Sequence, residues 1–249
     1  MPQYERIIIA GQSHADTLFN DQHRASDAPT LVRLDADAEV YGLVSAMPRG
    51  PDYWDALREH AAGSIVVLVW GGNDHNAWFL FQTTPHFDFV RADLPNVDPK
   101  AKLIPASLVH QLFYANPEAE QCKALVRELS ERGDCRVLMM ETPPPKGEEA
   151  ELKKLLASEY AHVAQQRGMA IENIPLTDRM IRLKLWRAFR DASVRIAREN
   201  GAEFLSLPAW AFDGEGFFRR AYWQNDATHG SSAYGTQVRR ELINGLLSA

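Results

Sequence analysis

Cysteine is scarce: only Cys122 and Cys135 occur in 249 residues. Two thiols make neither a disulfide framework nor a thiolate zinc cluster, and their rarity fits a reducing compartment, so the cytoplasm is the expected location. Long apolar runs are also lacking. Nowhere do about 18 apolar residues follow one another, so no membrane span is expected. The first eleven residues hold one short apolar run, Ile7 to Ala10, without the basic segment, long apolar stretch and cleavage site of a secretory leader. An excess of positive charge is missing too, since 27 Lys and Arg face 33 Asp and Glu for a formal net charge of −6. Phosphate binding needs Lys and Arg gathered on one face, so nucleic acid is not an expected partner. The basic residues between Arg179 and Arg198 alternate with apolar positions at helical spacing and read as a solvated helix face. Finally, no Gly-x-Ser-x-Gly elbow surrounds Ser13, because Ala15 stands where its second glycine belongs.

What is present is ordinary globular composition, with 45% apolar and 24% charged residues, in a chain that one α/β core can accommodate. Short β-rich runs alternate with longer segments of helical period, the pattern of a parallel sheet covered by helices on both faces. Five strands are expected, at Arg6 to Ala10, Ala38 to Leu43, Ser64 to Trp70, Arg136 to Glu141 and Glu203 to Leu207. Helices are expected at Pro117 to Arg132, Glu148 to Arg167, Asp178 to Asn200 and Ser232 to Leu247. In the last, Tyr234, Val238, Leu242 and Leu246 fall four apart, with Ile243 and Leu247 widening the stripe that packs on the sheet. Gly133, Gly168 and Gly201 each follow a periodic run and read as helix stops. A single domain is expected, with an aromatic and proline-punctuated insertion at about 75–116 over the carboxyl ends of the strands. Pro143, Pro144 and Pro145 form a second rigid loop at that edge.

Three short motifs carry chemistry. Gly11, Gln12 and Ser13 follow the first strand, which puts a serine hydroxyl at the carboxyl edge of the sheet where α/β sites form. Taken alone, that serine reads more readily as a helix cap. His14 adjoins it in sequence and is not placed to be its base, so it reads as an exposed or supporting histidine. Gly71, Gly72, Asn73 and Asp74 follow the third strand, where an asparagine amide can point into the same cleft, although such strings also make plain turns. Asp226 and His229 lie three apart just before the last helix. At that spacing a carboxylate can bind one ring nitrogen and leave the other to face a nucleophile.

In order and spacing these motifs resemble the SGNH (GDSL-like) hydrolase family over most of the chain. The resemblance implies a flavodoxin-like three-layer α/β/α sandwich with a five-stranded, mostly parallel sheet in order 2-1-3-4-5. It implies Ser13 as nucleophile, His229 as general base and acid, and Asp226 as the group that orients the imidazole. The implied oxyanion hole combines the Ser13 N–H, the Asn73 side-chain amide and a second-block N–H. Gly42 is the choice for the last, with Ser45 or Ala46 as alternative frames. Gln12 departs from the usual Gly-Asp-Ser, and Gly-Gln-Ser is similar to the first block of carbohydrate O-acetylesterase branches. The implied activity is hydrolysis of short-chain, acetyl-type esters on a small molecule or saccharide, through an acyl-enzyme and without metal or organic cofactor. An O-acyltransferase with the same triad, or a noncatalytic carbohydrate-binding protein on the same scaffold, are the alternatives. Trp78, Phe79 and Trp223, with Gln12, are the expected substrate-contacting residues, aromatic faces suiting both sugars and acyl chains. The sequence leaves the oligomeric state open.

Overall fold

The computed structural model describes residues 4, 6–19, 27–71 and 74–247. Strands β1 (Arg6–Gly11), β3 (Val40–Val44), β4 (Ser64–Val69), β7 (Arg136–Met140) and β8 (Glu203–Leu205) form the parallel core of a sheet in spatial order β3-β1-β4-β7-β8. These are the five expected strands in the expected 2-1-3-4-5 order. A sixth, β2 (Thr30–Arg33), runs antiparallel along the outer edge of β3 and was not anticipated. It is a four-residue edge strand without a buried residue, so it lacks the apolar run by which the others announce themselves.

The helices are α1 (Ser13–Asp16), α2 (Pro51–His60), α3 (Ala106–Tyr114), α4 (Pro117–Arg132), α5 (Glu149–Glu159), α6 (Ala161–Arg167), α7 (Arg179–Glu199) and α8 (Ser232–Leu246). Helix α4 spans the expected residues: Asn116 caps its first turn by accepting from the Ala119 N–H, and Gly133 ends it in a left-handed conformation (φ 69°). The helix expected from Glu148 to Arg167 is two helices broken at Tyr160, whose ring turns inward against Phe81.

Alternation along the strands sends side chains to two separate cores. Ile7 and Ile9 of β1 face Val238, Leu242 and Tyr234 of α8 on one side. Ile8 and Ala10 face Tyr53 and Leu57 of α2 and the inner side of α4 on the other. The three-layer sandwich follows directly.

The aromatic segment packs largely against α7. Phe89, Phe113 and the partly buried Phe79 and Phe87 pack against Ile181, Leu185 and Phe189 of α7, and a small parallel pair, β5 (Phe87–Asp88) with β6 (Lys102–Leu103), ties the segment together. Helix α7 is consequently covered on two sides. Its basic face is only partly solvated: Arg182 and Lys184 are each 1% exposed. The Lys184 ammonium pairs with Asp88 at 2.8 Å and donates to the carbonyls of Phe89 and Asn96. The segment's own acid and carbonyls make that burial tolerable.

Candidate active site

Strand β1 delivers the chain to Gly11, which has φ +154° and passes so close to β4 that an added Cβ would lie 2.1 Å from the Val69 carbonyl oxygen. Only glycine fits. Two side chains from the far side of the loop then fix the turn. The buried Tyr53 hydroxyl accepts from the Gly11 N–H at 3.0 Å and donates to the Leu43 carbonyl at 2.9 Å, joining the ends of β1 and β3. The Arg49 guanidinium donates to the Gly11 carbonyl and pairs with the Asp16 carboxylate. Gln12 is the extended residue before α1, and Ser13 is its first helical residue, so the serine is not the helix cap.

The second part is the loop Trp223–Gly230, closed at its base by an antiparallel bridge between those two residues. Asp226 fills it. One carboxylate oxygen accepts from the backbone N–H groups of Thr228 (2.9 Å) and His229 (2.7 Å), and the other meets His229 Nδ1 at 2.9 Å. Burial works to raise the Asp226 pKa. The His229 hydrogen bond and charge, the backbone N–H and the nearby Lys146 outweigh it, holding the carboxyl well below the usual carboxylate range. An ionised Asp226 on Nδ1 selects the tautomer with its proton there and leaves Nε2 as an acceptor without a hydrogen-bond partner of its own. Ser13, Asp226 and His229 all line one cleft of about 360 Å³. Phe19, Val44 and Met47 give it an apolar wall; Asp16, Ser45 and Gln224 give it a polar one.

The other expected residues fall out differently. Asn73 and Gly72 lie outside the described residues. Gly42 sits within β3 in register with Ile9, its other edge paired to Val32 of β2, two residues short of the level of Gly11. It is too deep in the sheet to face the cleft, whereas Ser45, one of the alternative frames, lies just past the strand end and lines it. Trp78 is 48% exposed, and Phe79 stands edge-on to Phe87 and Phe113; neither borders the cleft. Trp223 is half-buried beside it, its indole N–H donating to the Phe218 carbonyl at 2.8 Å.

Of the two readings of His14, exposed or supporting, the structure has the second: it is 1% accessible, its ring centroid 4.7 Å from that of His229. Burial first, then the neighbouring His229 and His75, push its pKa well below the usual value, so it is a neutral ring packed behind the His229 imidazole. Two features went unread, the burial of His75 and that of Lys146. His75, also fully buried, is pushed down to about 3 by burial. A histidine in a polar-looking turn gives no sequence signal of burial. The second is Lys146, a buried lysine beneath the Asp226 loop; only its place after the three prolines marked it.

No protein-family model matches the chain, and no curated protein does. Among solved structures, 97% of the chain superposes on 83% of a protein described as a candidate platelet activating factor from Streptococcus pneumonia, at 12% identity and a TM-score of 0.54. This likeness establishes a shared fold. A GDSL-like lipase from Bacteroides thetaiotaomicron (12% identity, TM-score 0.42, 100% of this chain and 90% of that one) is also similar. So is a catalytic mutant of an acetylxylan esterase from Geobacillus stearothermophilus (13% identity, TM-score 0.44, 98% and 94%).

Proposed function

We propose that the chain is a serine esterase of the SGNH hydrolase type, acting on short-chain O-acyl esters with Ser13, His229 and Asp226 as its triad. The observation that carries this reading is the Asp226–His229 pair at 2.9 Å, which leaves the second imidazole nitrogen unpartnered in a cleft that Ser13 also lines. The chemistry is acyl transfer in two halves. As Ser13 Oγ bonds to the ester carbonyl carbon, its proton passes to His229 Nε2 and the carbonyl oxygen takes up the negative charge. The Ser13 N–H, the Ser45 N–H and the Asn73 amide serve as its donors. Collapse breaks the bond to the alcohol, which leaves with the proton from the imidazolium. Water then repeats the sequence on the acyl-enzyme and releases the carboxylic acid. Asp226 stays ionised throughout and stabilises the imidazolium.

The cleft supports the finer reading. Its lining joins a few apolar side chains, Phe19, Val44 and Met47, to the hydrogen-bonding groups of Asp16, Ser45 and Gln224. A small acyl group against the first set and a hydroxyl-rich alcohol, such as an acetylated saccharide, against the second make the best use of both.

The test is hydrolysis of a short-chain aryl ester together with labelling by an organophosphonate. The wild type is expected to release the aryl alcohol and to carry the label on Ser13, and Ser13→Ala to lose about 10⁴-fold or more in kcat/KM and all labelling. Equal acetate release by wild type and Ser13→Ala would remove the reading, and a chain that binds acetylated oligosaccharide without cleaving it would be a binding protein instead.

A further inference from the structure

Lys146 is 1% exposed, directly beneath the loop that carries the triad acid. Its ammonium donates to the Gln224 carbonyl at 2.8 Å and the Asp226 carbonyl at 2.5 Å, and stands 3.5 Å from the Asp226 carboxylate. The Trp223 ring lies 5.4 Å from the same ammonium. Its own main chain is equally constrained. The Lys146 carbonyl accepts from the buried Arg182 at 2.9 Å, and its backbone bridges to Phe218. An ammonium withdrawn from water this completely costs several kcal/mol, and an apolar chain of similar length would fill the space more cheaply. The charge is therefore spent on what it touches: two carbonyls of one loop and the carboxylate that the same loop holds.

We propose that Lys146 is a positioning residue for the Asp226–His229 pair, fixing the loop that presents the imidazole and placing its ammonium beside the Asp226 carboxylate. The role in catalysis rests on the esterase reading above; the placement of the charge does not. A cation 3.5 Å from the Asp226 carboxylate favours its ionised form, the one that holds the Nδ1 proton of His229. The other charged or titratable groups around His229 are Asp226 on its own loop, His14 on α1 with His75 behind it, and the Asp16–Arg49 pair across the cleft. Arg182 lies behind Lys146, with Glu149 and Asp178 acting on it in turn.

The experiment reads the Asp226 carboxyl titration by NMR in the wild type, Lys146→Met and Lys146→Arg, with kcat and KM for a short-chain aryl ester measured alongside and folding checked by circular dichroism. Removing the cation is expected to raise the Asp226 titration midpoint by about one unit. Activity should fall about 10- to 100-fold in kcat with KM within about twofold, because the acid–base geometry is lost and ester binding is not. Lys146→Arg, which keeps the charge, is expected to hold the midpoint and recover part of kcat. Should the methionine variant fail to fold, Lys146→Gln, which keeps a donor for one carbonyl, replaces it with the same expected shift. A folded, neutral variant with an unmoved Asp226 titration would overturn the proposal, as would one whose titration falls. If Ser13→Ala proves as active as the wild type, the esterase reading falls alone, since the Asp226 titration still tests the charge.

Discussion

Replacing Asp226 with asparagine keeps the size of the side chain but removes the charge that selects the Nδ1 proton on His229. By analogy with triads in general, kcat is expected to fall about 10⁴-fold, measured on an aryl ester at neutral pH. Stability should change as well, with a definite pH dependence. The Asp226 pKa is depressed in the fold, so its contribution is fully present above the ordinary carboxylate pKa and is lost as pH falls toward the folded value. The difference in Tm between wild type and Asp226→Asn is therefore expected to be largest near neutrality and to close below about pH 4. The buried histidines act in a higher window. His75 titrates near 3 in the fold and His14 well below its usual value, so the unfolded chain takes up protons that the fold refuses as pH drops below about 6.5. Asp74 opposes them. Burial first, then Glu118, raise its pKa to about 7, so it contributes stability at low pH that is lost as pH rises through about 7. Thermal melts between pH 5 and 8 should accordingly show a flatter acid loss for His75→Phe and a steeper one for Asp74→Asn.

Between elements, the nucleophile turn depends on how closely α8 approaches α1. Gly235 lies where a Cβ would come within 1.7 Å of the Thr17 carbonyl oxygen, and Arg239 of the same helix donates to the Leu18 carbonyl. Gly235→Ala must push α1 away, at an expected cost of about 1–3 kcal/mol by denaturant titration. Because α1 carries Ser13, kcat should fall more than the loss of stability explains, while Val238→Ala, in the core of the same helix, should cost stability with little effect on kcat. The loop of His229 is anchored from another side, since Ala227 packs with Leu80, Leu152 and Leu156 in a small core of its own. Helix α5 and the aromatic segment thus both bear on the catalytic loop, although neither lines the cleft.

For the molecule as a whole, the decisive arrangement is which parts meet at the carboxyl edge of the sheet. The cleft is bounded by the segments after β1 and β3 and by the loop before α8, while the aromatic segment packs on α7 and, through Leu80, behind the Asp226 loop. Trp78→Ala is therefore expected to leave KM within about twofold for every ester tried. Phe19→Ala, which enlarges the apolar wall, should move the preferred acyl length upward by one or two carbons, about 1–3 kcal/mol of discrimination, in a series from acetyl to long-chain aryl esters. No helix among the described residues is long and apolar enough to cross a membrane.

The five parallel strands, three of the four long helices and the Asp226–His229 pair were legible in the sequence because each rests on local signals: β-rich runs, helical period, and a spacing of three within one turn; the strand order came with the family resemblance. Tertiary structure alone decided the rest. Whether Gly42 or Ser45 reaches the rim depends on the register of β3 against β1, which periodicity does not fix. The burial of His14, Lys146, Arg182 and Lys184 depends on remote carbonyls and acids closing over them, so their polar character pointed to the surface instead. Aromatic residues serve a core and a binding wall equally well, and only the packing of α7 chose between those roles for Phe79. Local patterns thus specify which elements form, whereas partners distant in the chain determine which side chains share a cleft.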